Sequence, residues 1–196
     1  MSTVEHPGYG RRDAQQWRIG SAEDVAWIKS GTRIALTIDS AIPPVFASYA
    51  TIELRDSEWS DQSLDDATLL AVLARHSSAS AFWLGYLDTG VADVVFPDAP
   101  RTKLYADWSY VFVQAGLEQA ATWRTHEFGP FWQRGAIPDV LFPADRSWLL
   151  STQWDDTWRC VGGPATLIDS IVDEPRLLSR RVALGETATP PGHQAR

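Results

Sequence analysis

Residues 139–164 read DVLFPADRSWLLSTQWDDTWRCVGGP and decide the fold, because three short apolar runs follow one another with turn residues between them. Strands are predicted over 140–142, 147–152 and 157–161, since each run is bounded by the Pro, Asp or Gly residues typical of turns. Gly162, Gly163 and Pro164 then open a predicted helix over 165–173, whose apolar residues recur with helical spacing. Connections this short favour antiparallel strands. The stretch therefore predicts a sheet of antiparallel strands with a helix packed on it.

A second copy of this pattern lies upstream. Shifting the sequence by 46 residues aligns 93–116 with 139–162 without gaps and gives seven identities in 24 positions. The matches include the DV-x-FP motif, Trp108 over Trp154, and Gly116 over Gly162. We interpret this as two pseudo-repeated β-β-β-α units that pair into one sheet. The alternative is a chance match, because strands that end at a proline are common.

The rest of the chain extends this α+β prediction. Residues 1–20 are predicted to be a loose N-terminal arm with a short helix near 14–17, and residues 185–196 a disordered tail. A single α+β domain is expected over 21–184, mainly an antiparallel sheet with the helices on one face. Its further helices are predicted over 22–29, capped by Ser21, over 64–76, capped by Ser63, and from 117 to 123. Its further strands are predicted over 32–38, 50–54, 82–87, 91–96 and 110–115, with 82–87 and 91–96 forming a hairpin.

Charge and cysteine content exclude several classes of function. The 196 residues contain 17 Lys and Arg against 25 Asp and Glu, a net charge of −8. Nucleic acids and anionic membranes select for basic surfaces, so neither is an expected partner. No apolar run approaches the ~20 residues that span a bilayer, and the first residues lack the apolar core of a signal peptide. Cys160 is the only cysteine, so a reducing, cytoplasmic location is expected.

Catalytic and metal signals are weak. His126 and Glu127 form the only pair that suggests acid–base chemistry, and no nucleophile is positioned beside them in the sequence. Cys160 lies inside a predicted strand, which favours a buried, inert thiol. Asp155 and Asp156 could bind a hard cation together with Asp145, but solvated acids in a turn are the more common explanation. We expect no cofactor and no metal.

Aromatic residues give the strongest functional signal. A cluster of them between positions 123 and 158 is interleaved with arginines and comprises Trp123, Phe128, Phe131, Trp132, Trp148, Trp154 and Trp158. Tryptophan and arginine are enriched at the energetic centres of protein interfaces. About half of these rings are expected in the core, because tryptophan is buried on average. The candidate binding residues are Trp132, Trp154, Asp155, Asp156, Arg146 and His126.

The segment LFPADRSW at 141–148, followed by Asp155, Trp158 and Gly162-Gly163, resembles a Trp-rich family of uncharacterised actinobacterial proteins. The resemblance extends to 41–46 and 85–90 and spans most of 32–182. The arrangement of strands, turn, glycine pair and helix is also loosely similar to that of bacterial immunity-type proteins, which bind and neutralise toxins. This similarity implies a protein partner and assigns no role to individual residues.

The sequence favours a non-enzymatic, acidic binding protein, most concretely an immunity-type protein that engages a basic protein partner. One alternative is an enzyme or small-molecule-binding protein with an aromatic pocket that uses Trp154, Asp155, Asp156 and His126. The other is a structural subunit of a larger assembly.

Overall fold

The computed structural model describes residues 8–35, 37–54, 59–90, 95–124, 137–153 and 156–188. The strands are β1 (Tyr9–Arg12), β2 (Gln15–Ile19), β3 (Ser48–Glu53), β4 (Phe82–Leu87), β5 (Thr102–Leu104), β6 (Trp108–Ala115), β7 (Val140–Pro143), β8 (Leu149–Ser151), β9 (Trp158–Gly163) and β10 (Ser179–Val182). The helices are α1 (Ala22–Gly31), α2 (Trp59–Arg75), α3 (Leu117–Thr122) and α4 (Ala165–Val172), with a 3-10 turn at Ile38–Ser40.

All of these strands belong to one sheet. Their order is β1-β2-β6-β4-β7-β8-β9-β3-β10, with β5 beside the start of β6. Every strand pairing among the described residues is antiparallel. The predicted α+β fold with a mainly antiparallel sheet is therefore confirmed.

Apolar side chains cover both faces of the sheet, because they alternate along the central strands. Phe82 and Leu84 of β4 pack with buried residues of α2, α3 and α4 on one face. Trp83 and Leu87 pack on the other face with Val25 of α1 and with residues around the 3-10 turn. The prediction that the helices lie on one face is correct for α2, α3 and α4. It is wrong for α1, which buries Val25 and Ile28 against the opposite face.

The predicted hairpin of 82–87 with 91–96 is wrong where it can be compared. Over residues 82–85 β4 pairs with both β6 and β7, so along this stretch neither edge is left for the segment that follows it in the chain. Residues 91–94 lie outside the described residues, and residues 95–96 form a bend. The Asp-Thr-Gly turn at 88–90 is present, because the Gly90 N–H bonds to the Asp88 carboxylate at 2.9 Å.

The predicted strand at 32–38 is also wrong. The Arg33 N–H donates to the Asp39 carbonyl at 3.2 Å, and the two side chains form an ion pair at 2.6 Å, so this segment closes on itself. Ile34 is 93% exposed and does not belong to a buried face. Of the residues described in 32–38, only Thr37 forms a strand contact, a single bridge to Thr187.

The N-terminal arm differs from the prediction as well. Residues 9–19 form the β1–β2 hairpin, whose turn places Asp13 and Ala14 in the left-handed region, and β2 extends the sheet beside β6. The helix predicted near 14–17 is therefore wrong. The prediction for α1 is correct: Ser21 and Asp24 form a capping box, with the Ser21 N–H donating to the Asp24 carboxylate at 2.8 Å.

The pseudo-repeat is not confirmed. The described residues share the order strand, strand, helix in β5-β6-α3 and β8-β9-α4. The matched motifs have different local structures, however. Phe142 and Pro143 lie in β7, whereas Phe96 lies in a bend and Pro97 in a turn. Gly116 caps α3, whereas Gly162 lies within β9.

The first residues of the predicted tail are packed rather than loose. Ala188 is buried, and Arg180 donates to the Thr187 carbonyl at 2.6 Å and forms an ion pair with Glu186 at 2.7 Å. Residues 189–196 lie outside the described residues.

Deletion of residues 185–196 is expected to lower the melting temperature by several degrees, because it exposes the surface under Ala188 and removes the partners of Arg180. A loss of about 1–2 kcal/mol is expected from these contacts. Thermal unfolding of this variant should be compared with deletion of 189–196, which removes a polar segment without apolar anchors and should leave the melting temperature unchanged. Equal melting temperatures for the two truncations would contradict this prediction.

Candidate functional site

One end of the sheet, which we call the loop end, is defined by the ends of β3, β4 and β8 and the starts of β6, β7 and β9. The registers Leu87↔Tyr110 and Gly85↔Val140 place the end of β4 beside the starts of β6 and β7. The registers Ser151↔Cys160 and Glu53↔Trp158 bring the ends of β8 and β3 to the start of β9 at the same end. The segments 55–58, 91–94, 125–136 and 154–155 therefore connect to the loop end.

Most of the predicted binding residues belong to these connections. His126, Trp132, Trp154 and Asp155 lie outside the described residues. Asp156 is described: it is partly buried just before β9, and its N–H donates to the Gln153 carbonyl at 3.3 Å. Chain connectivity thus attaches these five residues to one end of the sheet.

Arg146 does not join them. It lies in the connection between β7 and β8 at the opposite end of those strands, where its backbone adopts a left-handed φ of 57°. Its guanidinium carbon lies 5.5 Å from the centre of the Trp27 ring, a cation–π contact. Arg146 therefore lies at the other end of the sheet from the connections that carry the remaining candidates, and a binding role for it stays a prediction.

The loop end is held by a buried ion pair that the sequence did not reveal. Asp139 is 2% exposed, and its carboxylate accepts hydrogen bonds from the Arg124 guanidinium. The same carboxylate accepts the Leu87 N–H at 2.8 Å, and the Asp139 carbonyl accepts the Thr152 N–H at 2.7 Å. Asp139 therefore ties the ends of β4 and β8 to the residue that precedes the 125–136 segment.

Tyr86 lies beneath this pair. The Arg124 guanidinium carbon is 5.4 Å from the centre of the Tyr86 ring. The Tyr86 hydroxyl is buried and has no hydrogen-bond partner among the described residues. Burial raises the pKa of this hydroxyl, so it stays protonated at neutral pH.

A second buried ion pair joins α2 to β9. The Arg159 guanidinium lies 2.6 Å from the Asp66 carboxylate, and both side chains are only 3% exposed. Asp66 also contributes to the electrostatic environment of Arg124, so the two ion pairs are neighbours. Glu53, Asp65 and Gln62 line the small pocket beside Arg159. Two buried ion pairs, Arg124 with Asp139 and Arg159 with Asp66, therefore lie under the loop end.

One sequence signal could have identified Asp66. It precedes Leu69 by three residues and Leu73 by seven, so it lies on the apolar face of the helix, where a carboxylate requires a partner. The sequence prediction placed Asp66 in the first turn instead, because it began the helix at 64 rather than at Trp59. Its partner Arg159 is distant in sequence, and no local pattern indicates this pairing.

Among the described residues, the ionisable side chains under the loop end connect separate elements of the fold. The ionisable groups under the loop end, Asp66, Arg159, Arg124 and Asp139, are paired with one another. Cys160 is buried, and burial raises the pKa of its thiol, as expected for an inert cysteine. Within the described ranges no three His, Cys, Asp or Glu side chains converge in a way that could hold a metal ion.

Comparison with known proteins gave no match, whether to protein-family models, to curated proteins or to solved structures. Among the described helices, none combines the length and the apolar character needed to cross a membrane.

Proposed function

We propose that this protein is a non-enzymatic binding protein whose loop end recognises a protein partner. The observation that carries the proposal is that the segments bearing Trp132, Trp154 and Asp155 connect to strand ends fixed by two buried ion pairs. Fixed attachment points lower the entropy lost when a recognition loop binds. Tryptophan side chains are typical centres of binding energy in protein interfaces.

The most concrete version is an immunity-type protein that binds a basic toxin. A net charge of −8 favours association with a positively charged partner through long-range attraction. Asp155 and Asp156 add two carboxylates beside Trp154 in the sequence, which suits a partner surface rich in Lys and Arg. Binding requires only apolar area and a few placed charges, whereas catalysis requires a positioned proton donor or acceptor as well.

The test uses the full chain and the protein encoded beside it in the genome, produced separately. Trp132→Ala, Trp154→Ala and Asp155→Ala should each weaken binding about tenfold or more, equal to ~1.4 kcal/mol, while the melting temperature changes little. Titration calorimetry measures the affinity, and thermal unfolding measures the stability. Arg146→Ala is the control, because it removes an aromatic-stacked cation at the opposite end of the sheet.

Two outcomes would contradict the proposal. One is that the tryptophan variants lose about 3–5 kcal/mol of stability while their affinity for the neighbouring protein stays unchanged, as expected of core residues. The other is that Arg146→Ala weakens binding as much as the three loop-end substitutions.

A further inference from the structure

A groove lies between α1 and the segment that leads into β5, and its β5 side lies beside the start of β6. Its volume is about 770 Å³, within the range of small-molecule sites. Ile19, Ala22, Ala26 and Pro100 give it an apolar lining. The groove can therefore accept the apolar part of a ligand.

The charges that line this groove are all positive. They are Lys29 of α1, Lys103 of β5 and Arg101, and no carboxylate lies among the lining residues. Lys29 and Lys103 are the only two lysines in a chain that carries 25 acidic residues. The lining therefore has the opposite sign to the protein as a whole.

Each lysine retains capacity to bind an anion. The Lys29 ammonium donates one hydrogen bond, to Asp107 at 2.8 Å, and the Lys103 ammonium donates one to the Ser109 hydroxyl at 2.8 Å. An ammonium group has three donors, so within the described part of the chain each lysine has two left for a ligand or for water. Arg101 is less available, because its guanidinium pairs with Asp88 at 2.8 Å and also donates to the Ala99 carbonyl.

Asp107 already supplies one negative charge at the rim of the groove. Hydrogen bonding and charge from Lys29, with a smaller contribution from Lys103, lower the pKa of the Asp107 carboxyl. Asp107 is exposed and adopts a left-handed φ of 60° in the turn between β5 and β6. The Asp107 carboxylate therefore binds Lys29 as an external anion would, and an anionic ligand must compete with it for the Lys29 ammonium.

We propose that this groove binds a small phosphate monoester with an apolar body. A dianion competes with the single charge of Asp107 better than a carboxylate ligand does, because its attraction to the two lysines is about doubled. The apolar residues of the groove would contact the apolar body of the ligand. The overall negative charge does not prevent binding, since screening at physiological salt reduces interactions beyond about 8 Å.

The test uses the full chain and four simple probes. Phenyl phosphate carries both features, inorganic phosphate lacks the apolar body, benzoate replaces the dianion by a monoanion, and phenol lacks the charge. Titration calorimetry at pH 7.5 measures each affinity. Acetic anhydride labelling with mass spectrometry then reports directly on the groove, because both lysines of the chain lie in it.

Phenyl phosphate is expected to bind about tenfold more tightly than inorganic phosphate or benzoate and to slow acetylation of Lys29 and Lys103. Lys29→Gln and Lys103→Gln should each weaken binding about tenfold. Asp107→Asn should tighten it, because both lysines lose a competing charge, and asparagine tolerates the left-handed backbone. Arg181→Gln is the matched control, since it neutralises another exposed, ion-paired cation on β10, at the far edge of the sheet.

Three results would overturn the proposal. They are absence of binding and of lysine protection at about 10 mM phenyl phosphate, an affinity that the two lysine substitutions leave unchanged, and equal weakening by Arg181→Gln. Tighter binding of benzoate than of phenyl phosphate would also overturn it and assign the groove to carboxylates. This test is distinguishable from that of partner binding, because Trp132, Trp154 and Asp155 are not among the residues that line the groove.

Discussion

Replacement of Asp66 by asparagine is expected to lower the free energy of unfolding by about 3–5 kcal/mol. The substitution keeps the shape of the side chain but removes its charge, which leaves the Arg159 guanidinium in the interior without the carboxylate 2.6 Å away. The cost of an uncompensated buried charge exceeds that of a lost hydrogen bond. Urea unfolding followed by tryptophan fluorescence measures the change.

A double variant distinguishes the stability lost with the charge of Asp66 from the stability lost with its packing. Asp66→Leu with Arg159→Met removes both charges and keeps apolar volume, so it should recover most of the stability that Asp66→Asn loses. A loss below about 1 kcal/mol for Asp66→Asn would contradict the prediction. It would show that Glu53 and Asp65, which line the same pocket, are sufficient to neutralise Arg159.

Replacement of Trp148 by alanine is expected to lower the free energy of unfolding by about 3–5 kcal/mol in an otherwise unchanged protein. The side chain is fully buried, and its ring centre lies 6.0 Å from that of Phe82. On the other side, a Cβ added to Gly163 would lie only 3.0 Å from the Trp148 Cβ. Alanine leaves a cavity that this dense packing cannot close. Urea unfolding measures the loss.

Two control variants define the effect of Trp148. Trp148→Phe keeps a ring and should lose less than Trp148→Ala, whereas Ile34→Ala removes an exposed side chain and should change stability by no more than about 0.5 kcal/mol. A wild-type melting temperature for Trp148→Ala would place the ring outside the core. Trp148 belongs to the aromatic cluster described above, and the sequence did not show which members of that cluster lie in the core.

The sequence predicted the elements whose signals are local. The capping box of α1, the apolar face of α2, and the strands β3, β4, β6, β7, β8 and β9 all follow from spacing and turn residues within a short window. The errors arose where contacts outside the local pattern decide the outcome. The hairpin prediction failed because β7, distant in sequence, pairs with β4, and the alternation at 32–38 is typical of a strand although Arg33 pairs with Asp39 and residues 34–35 form a bend.

The candidate site shows the same difference between what local sequence indicates and what distant contacts decide. The aromatic and acidic residues were recognisable by composition, and the strand registers show that the chain on either side of their segments reaches the same end of the sheet. The buried network beneath them was missed, because Asp139 joins Arg124 and Leu87 across separate elements. The position of Arg146 could not be read from the sequence for a related reason: the short strand β8 separates it from Trp154 and Asp155, which are close to it in the sequence.

The strand order has a consequence for synthesis of the chain. β3 lies between β9 and β10, and its first residue pairs with Gly163, about 115 residues later. Ribosomes add about 5–20 residues per second, so β3 waits on the order of 6–23 s for its first neighbour to emerge. During that interval the apolar side chains of Ala50 and Ile52 have no sheet to join. A chaperone that shields extended apolar segments would act on this protein while it is still attached to the ribosome.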